Sequence, residues 1–397
     1  MASQETIRHS EPVARASFVN DPLVRSIFYQ VVVFIGLVAF VWWIVNNTIQ
    51  NLQRAHIASG FQFLYGRSGF DISQSMIQYS SDSTVFRALL VGLLNTLLIA
   101  VVGIFTASIV GFLVGIGRLS HNWLIRKIST VYVEIFRNIP PLLVIFFWYL
   151  GVLSVLPAPR DSYHLPFGSY LNSRGFFLPA VIWESGSWLI VLAFVLAVAM
   201  SWFVARRARQ RQMATGQQFP VFWTSAALIV GLPVLAYALS GFPLSFDFPK
   251  QSTFNLTGGF QIKPEFLALY LALSFYTASF IAEIVRAGIM GVSRGQSEAA
   301  SALGLRQGSI LRLVVVPQAL RIIIPPLTSQ YLNLTKNSTL AIAVGYPDLV
   351  ATGGTVLNQT GQAIEVVAIW MVVYLSLSLG TSFFMNWFNA KMALVER

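Results

Sequence analysis

Long runs of apolar residues recur along this chain of 397 residues and constrain its fold more than any other feature. A hydrocarbon core of roughly 30 Å requires a helix of about 20 apolar residues to cross it. Hydrophobic residues make up 55% of the chain and charged residues 10%, against about 25% charged in soluble proteins. Eight runs have a suitable length, at 27–46, 88–117, 129–154, 188–205, 220–241, 265–285, 317–340 and 363–388. The sequence therefore predicts an all-α integral membrane protein with about eight transmembrane helices.

Basic residues are distributed unevenly between the segments that join the predicted spans. If the N-terminus is cytoplasmic, sixteen of the 26 Lys and Arg residues lie in cytoplasmic segments, seven in outside loops and three in spans. Cytoplasmic loops of membrane proteins carry such an excess. We therefore expect both termini in the cytoplasm. The same rule, with anionic membrane lipid as the partner, accounts for the net charge of +11 without nucleic acid.

Several kinds of chemistry are excluded or disfavoured by residues that the chain lacks. It has no cysteine, which excludes disulfides, thiol catalysis and iron–sulfur ligation. Its four histidines lie in loops or the N-terminal tail without metal-ligand spacing, so we expect no metal site. A P-loop needs Gly-Lys followed by Ser or Thr, and no lysine here follows a glycine. We expect no cofactor bound by this chain, and any ATP that is used must bind another polypeptide.

The polar residues between the apolar runs divide the chain into segments. Residues 157–264, here called the insertion, contain two spans that we expect the basic turn Arg206–Gln212 to join. The other predicted segments are a cytoplasmic tail (1–26), a first transmembrane helix (27–46), an outside loop (47–87), two parts of a helical core (88–156 and 265–390, the second with a polar loop at 291–317) and a second cytoplasmic tail (391–397).

The polar loop contains the sequence EAASALGLRQGSILRLVVVP, from Glu298 to Pro317. We expect Ser297 to cap a short helix that begins at Glu298, and Gly304 to end it in a left-handed conformation. Ser309 would then cap a second helix that enters the membrane at Pro317. Such a surface could dock a partner, and a helix lying on lipid headgroups is the alternative.

Two further patterns concern helix packing and charge. Small residues recur every four positions in the second span and predict close approach to another helix, although small residues are common in membrane helices generally. They are Gly103, Ala107, Gly111 and Gly115. Charged pairs three residues apart can neutralise each other on one helix face. We expect two structural ion pairs of this kind, Glu134 with Arg137 and Glu283 with Arg286.

The polar loop also resembles the signature loop of ATP-binding-cassette (ABC) importer permeases. The matching residues are Glu298, Ala299, Ala300, Gly304 and Pro317, with Val314 and Val316 where that family often has Ile and Leu. Five further stretches resemble the permeases for polar amino acids and opines, such as histidine, glutamine, arginine and glutamate. They are 92–103, 132–149, 282–289, 317–340 and 358–365. The outside loop at 60–73 and the insertion look closest to the Q-type subunits of general L-amino-acid transporters.

This resemblance implies a type I ABC importer permease fold in the bacterial inner membrane, with the insertion as an addition to it. It implies transport of polar L-amino acids by alternating access, from a periplasmic binding protein to the cytoplasm. ATP and Mg would bind a separate dimer of ATP-binding subunits. Glu298, Ala299 and Gly304 would couple that dimer to the spans. A second permease, or another copy of this chain, would complete the pore, and the chain itself would be no enzyme.

Polar residues around the predicted seventh and eighth spans are candidates for a substrate pathway. Pro325-Pro326 is expected to break the seventh span, and broken helices with polar content often line transport routes. Lys336 beside a substrate carboxylate and Glu365 beside its ammonium would suit an amino acid, although Lys336 could instead extend to the membrane surface. The candidates are Asn333, Lys336, Asn337, Ser338, Gln362 and Glu365. A proton-coupled secondary transporter and a structural membrane subunit remain alternative functions.

Overall fold

A computed structural model describes residues 22–54, 60–252 and 255–392, and every structural statement below refers to these residues. Most of the predicted tails at 1–26 and 391–397 therefore lie outside the described part of the chain. Long helices dominate, which confirms the predicted membrane fold class. The helices are α1 (Pro22–Arg54), α2 (Val85–Gly117), α3 (Trp123–Asn138), α4 (Pro141–Phe146), α5 (Trp188–Thr215), α6 (Val221–Leu239), α7 (Pro264–Met290), α8 (Arg294–Ala302), α9 (Gln307–Ile310), α10 (Val316–Asn337), α11 (Leu349–Thr360) and α12 (Ala363–Met392).

The predicted span at 129–154 is bent rather than straight. Helix α3 and the following segment Pro141–Leu153 meet at 111°. Proline disfavours helical conformation in the residue before it and donates no backbone N–H. Ile139, before Pro140 and Pro141, accordingly has extended backbone angles (φ −107°, ψ 133°). Within the described residues, seven helices are long and apolar enough to cross a membrane, and an eighth span exists if this bent pair counts as one.

The core forms where α2 packs along α7, with α10 in contact with both helices. All four small residues of the α2 stripe are buried. A Cβ atom added to Gly111 would lie 2.6 Å from Cβ of Ile281, and one added to Gly115 would lie 2.7 Å from the carbonyl oxygen of Ala282. Such distances leave no room for a methyl group, so the glycines allow the two backbones to approach closely.

Helix α10 passes through Pro325 and Pro326 without a break, so the predicted break at these prolines is wrong. Each proline removes one backbone hydrogen bond, and the helix tolerates two such losses within one turn. It ends instead at Ser338, where a 3₁₀ segment, Ser338–Val344, begins. The Ser338 hydroxyl donates to the carbonyl of Thr335 (2.7 Å), and the Thr339 hydroxyl to that of Lys336 (2.9 Å). These side chains satisfy carbonyl groups that the ending helix leaves unpaired.

In the insertion, α5 continues through Arg206–Gln212, so the predicted basic turn is wrong. Arg and Gln have high helix propensity, and the helix ends only at Gly216, which is left-handed (φ 74°). Helix α6 returns from Val221 and packs against α5. Small side chains on α5, Ala197, Ser201 and Ala208, are buried, as expected for close packing between membrane helices.

Short β-strands that were not expected from the sequence join the helices of the insertion to the core. One antiparallel sheet has the order β1-β2-β3-β8, and β4 with β5 and β6 with β7 form two-stranded ribbons. The strands are β1 (Tyr163–Leu165), β2 (Ser169–Asn172), β3 (Gly175–Leu178), β4 (Ala180–Trp183), β5 (Leu244–Asp247), β6 (Lys250–Gln251), β7 (Leu256–Thr257) and β8 (Phe260–Ile262). Strands of two to four residues carry too little alternation to stand out beside long apolar runs.

Candidate functional site

The polar loop folds as a helical elbow, which we define as residues 291–315, between the end of α7 and the start of α10. Its first helix, α8, begins one turn earlier than predicted, with Ser293 at the N-cap. Ser297 therefore lies inside the helix, and its predicted capping role is wrong. Arg294 and Gln296 are good helix formers, and the Gln296 N–H donates to the Ser293 carbonyl (3.1 Å).

Gly304 ends α8 in the left-handed conformation, with φ 75°. The Gly304 N–H donates to the Ser301 carbonyl (2.9 Å) and the Leu305 N–H to the Ala300 carbonyl (3.3 Å). This pair of bonds is the Schellman motif, which favours glycine at the left-handed position. No atom lies within 4 Å of a Cβ placed on Gly304, so backbone conformation rather than space favours glycine there.

The second helix of the elbow, α9, begins earlier than predicted. Helix α9 has Arg306 at its N-cap, and Ser309 lies inside it, because the Ser309 N–H already donates to the Arg306 carbonyl (2.8 Å). A π-helical segment, Leu311–Val315, continues directly into α10. Pro317 lies in the first turn of α10, directly after this π-helical segment.

The outer face of α8 is free to contact a partner. Glu298 and Ala299 are exposed, whereas Ala300 is buried against the rest of the elbow. Leu303, at the end of the helix, exposes 81% of its surface. The side chain of Gln318 donates to that of Gln296 (3.4 Å), which ties α8 to α10. The elbow thus presents Glu298, Ala299 and Leu303 on a short helix that is anchored from behind.

A cleft of about 480 Å³ separates α8 from the ends of the core helices. Its walls are formed by Leu119 just after α2, by the end of α7 and by the elbow itself. The lining residues are Leu119, Ile289, Met290, Val292, Arg294, Ser297, Glu298 and Val315. Arg294 and Glu298 bring opposite charges to this cleft, beside apolar side chains.

Behind the elbow, a network of charges joins three helices. Arg118, directly after α2, contacts the Glu283 carboxylate of α7. The same carboxylate accepts from Arg286 at 2.5 Å, as the sequence spacing predicts. Arg118 Nη2 is also 3.9 Å from Glu134 of α3. The Arg118 side chain is only 12% exposed, so these carboxylates compensate a largely buried charge.

The predicted ion pair between Glu134 and Arg137 does not form. Glu134 turns to Arg118 instead, and the Arg137 guanidinium lies over the Phe280 ring of α7, 5.6 Å from its centroid. A cation above an aromatic ring is stabilised by the ring quadrupole. Spacing within one helix did not indicate this arrangement because both partners come from other segments. One signal was available: Arg118 follows a long apolar run, where a charge usually has a partner.

The candidate pathway residues differ in how far they are buried. Asn333 and Lys336 are exposed on α10, and Asn337 is partly buried. Ser338 is fully buried, and Gln362 and Glu365 are nearly so. Glu365 accepts a hydrogen bond from the backbone N–H of Gly60 (2.7 Å), so it anchors the loop that precedes α2. Glu365 is thus bonded to the backbone of this chain, whereas Lys336 is exposed on α10, and their shared substrate site stays a prediction.

A second polar cluster, which was not expected from the sequence, lies at the other end of the core. Thr96 of α2 accepts from the N–H of Leu349 (3.1 Å), and Asn95 donates to the carbonyl of Pro347 (2.9 Å). Asp348 is fully buried at the N-cap of α11, where it accepts from the Ala351 N–H (2.8 Å). Burial raises the pKa of Asp348 to about 6. This cluster fixes the start of α11 against α2.

The described residues contain no group of three or more His, Cys, Asp or Glu side chains that could hold a metal ion. The arrangement suits a different task. A partner that moves the exposed face of α8 would act on α7, which begins the elbow, and on α10, which ends it. Arg118 and Glu283 join this unit to α2.

Comparison with known proteins agrees with this architecture. A family of binding-protein-dependent transport system inner membrane components matches residues 189–394. This match extends over α5 to α12, which include the elbow. The chain belongs to this family of inner-membrane transport components.

Individual relatives extend the similarity to nearly the whole chain. The general L-amino acid transport system permease protein AapQ of Rhizobium johnstonii is 68% identical over 381 residues, which cover 96% of this chain and 95% of the relative. The putative amino-acid ABC transporter permease protein YhdX of Escherichia coli is 49% identical, with 98% and 99% covered. The glutamate/glutamine/aspartate/asparagine transport system permease protein BztB of Rhodobacter capsulatus is 44% identical, with 96% of each covered.

These findings confirm the resemblance that the motifs indicated, including its general L-amino-acid branch. They also confirm the expected type I importer permease fold and the expectation that the chain is a transport subunit, not an enzyme.

Proposed function

We propose that this chain is a transmembrane permease subunit of an ATP-driven importer for a broad range of polar L-amino acids. The names of its three full-length relatives support the substrate class, since all three are described as amino-acid permeases. The alternating-access cycle would carry an amino acid from a periplasmic binding protein to the cytoplasm.

Both termini lie in the cytoplasm in this proposal, with the elbow and Arg206–Arg211 on the same side. The distribution of basic residues supports this orientation. The β-strands of the insertion and the loop before α2 then face the periplasm.

The observation that carries the coupling function is the position of α8. Only three residues separate this helix from the end of α7, and it exposes Glu298 and Ala299. A dimer of ATP-binding subunits, which would hold ATP and Mg, is the proposed partner of this surface. Closure of that dimer would push α8 and, through it, α7 and α10 as packed units.

The proposed substrate path runs between this chain and a second permease subunit. Asn333 and Lys336 support this placement, because both are exposed on α10 rather than turned into the core. A charge on the membrane-facing side of a helix usually faces a cavity or a partner. A different second permease is the favoured partner, and another copy of this chain is the alternative.

Co-expression with the candidate ATP-binding and binding-protein subunits tests the proposal. We expect the ATP-binding subunit to co-purify with this chain and vesicles to show vanadate-sensitive amino-acid uptake. ATP-independent uptake by this chain alone would contradict the proposal. Lys336→Ala should lower uptake and substrate-stimulated ATP hydrolysis without changing complex assembly, and unchanged values would remove Lys336 from the path.

A further inference from the structure

The β4–β5 ribbon, Ala180–Trp183 with Leu244–Asp247, lies at one end of the helical hairpin formed by α5 and α6. Strand β4 ends at Trp183 and α5 begins at Trp188, while α6 ends at Leu239 and β5 begins at Leu244. The other end of the hairpin contains Arg206–Arg211. The ribbon and the basic cluster are therefore at opposite ends of the same pair of spans.

The helix length places the ribbon near a membrane surface. Arg206 follows Trp188 by eighteen positions, which corresponds to about 27 Å of helix. This length is close to the roughly 30 Å of a hydrocarbon core. If the arginines lie in one headgroup layer, Trp188 and the ribbon just beyond it reach the opposite one.

One face of the ribbon is entirely apolar. The register pairs Val181 with Phe246 and Trp183 with Leu244, and directly paired residues of an antiparallel ribbon project from the same face. Val181 is 45% exposed, Phe246 52% and Trp183 60%. The other face contains Ala180, Ile182, Ser245 and Asp247. The described residues therefore leave three of the four side chains on the apolar face about half exposed, and Ile182 on the other face is 48% exposed.

The opposite face is tied to the remaining strands. Asp247 accepts a hydrogen bond from the backbone N–H of Gly259 (2.9 Å), and a Cβ added to the neighbouring Gly258 would lie 2.9 Å from Asp247 Oδ2. This close contact fixes the face on which Asp247 lies. The ribbon consequently directs its apolar face away from the other strands.

We propose that the apolar face of the β4–β5 ribbon lies in the headgroup layer of the lipid bilayer and anchors the end of the α5–α6 hairpin there. Trp residues with partly apolar surroundings concentrate at this interface, because the ring is apolar and its N–H can reach water. The exposed apolar sides of α5 and α6 lead directly to the ribbon. The face contains no charged residue. Contact with lipid therefore suits it better than contact with a polar protein surface.

Spin labels on single cysteines can test this contact, because the chain has no cysteine of its own. Val181→Cys and Phe246→Cys place a label on the apolar face, at two independent positions. Ser245→Cys labels the other face of the ribbon, and Asp82→Cys labels an exposed loop side chain as a water-facing control. The full chain, with the subunits that co-purify, is reconstituted in phosphatidylethanolamine and phosphatidylglycerol vesicles.

Collisions with oxygen, which partitions into lipid, are compared with collisions with a water-soluble nickel chelate. We expect oxygen collisions to exceed nickel collisions several-fold at positions 181 and 246, and the reverse at position 82. A nickel-dominated signal at 181 and 246 would overturn the proposal, because the face would be in water. Low collision rates with both reagents, with or without added binding protein, would also overturn it, because protein would cover the face.

Discussion

Arg118 and Glu283 form an ion pair that joins the end of α2 to α7, although 165 residues separate them in the sequence. The side chains are 12% and 25% exposed. The pair lies at the end of the α2–α7 interface at which α7 leads into the elbow. It therefore ties α2 to the helix that a coupling partner would move.

Glu283→Gln should destabilise the protein by about 1–3 kcal/mol, because Arg118 and Arg286 both lose a charged partner in a poorly solvated site. Thermal melting of the purified chain measures this change. Asp82→Asn is a matched control, since the Arg67–Asp82 pair has 66% and 76% exposed side chains and should change stability by less than about 0.5 kcal/mol. Equal changes in stability for the two substitutions would contradict a stabilising role for the ion pairs of Glu283.

Gly111→Ala should destabilise the protein by about 1–3 kcal/mol through overpacking, because the new methyl group would lie 2.6 Å from Cβ of Ile281. Gly380→Ala on α12 meets no atom within 4 Å. It should be neutral or stabilising by up to about 1 kcal/mol, since alanine has the higher helix propensity. Melting temperatures of the two variants in the same detergent provide the comparison, and similar values would contradict the close approach of α2 and α7.

Gly304→Asp should uncouple ATP hydrolysis from uptake or release the ATP-binding subunit, while membrane insertion stays intact. A side chain at φ 75° costs about 1–2 kcal/mol, and it adds a charge beside the exposed surface of α8. Gly308→Ala tests the same elbow without this strain, since Gly308 has no positive φ and no atom within 4 Å of an added Cβ. Uptake, ATP hydrolysis and co-purification should be near normal for Gly308→Ala. Loss of membrane insertion in Gly304→Asp would contradict a coupling role.

Asp348→Asn should change how stability depends on pH. The pKa of Asp348 is raised from 3.8 to about 6 by burial, so its ionised form is unfavourable in the folded protein. Its contribution to stability is therefore most favourable below its unfolded pKa and is lost as the pH rises through about 6. The full change corresponds to about 3 kcal/mol. Asparagine can also cap a helix, so the variant should keep the start of α11.

Melting curves between pH 4.5 and 7.5 compare the two proteins, and the difference between them isolates this group. We expect the variant to gain stability relative to the parent as the pH rises through about 6. A constant difference across this range would show that Asp348 does not titrate there.

The spans could be predicted from sequence because each depends on the composition of about 20 consecutive residues. Gly304 was predictable for a similar reason, since the left-handed end of a helix is a local property. The bend at Ile139 was also encoded locally, by the adjacent prolines at 140 and 141, but the apolar run across them obscured it.

The partners of charged residues were not predictable in the same way. Glu134 and Arg137 have suitable spacing on one helix, yet Arg118 from α2 and Phe280 from α7 lie closer to them in the fold. Glu365 likewise contacts Gly60, which is 305 residues away in the chain. Contacts of this kind depend on how helices pack, and the residue spacing in a single sequence does not contain that information.

The pairing of β3 with β8 has a consequence for how such a chain can change in length. Leu178 lies opposite Phe260 in the antiparallel register, so the backbone leaves and returns within about 5 Å of the same point. We expect that a short turn could replace the 81 residues between them while β3 and β8 keep their pairing. Because β3 and β8 pair at the point where this segment leaves and rejoins the core, a pair of spans can be gained or lost there as a module. The helices that surround the elbow then keep their original connections.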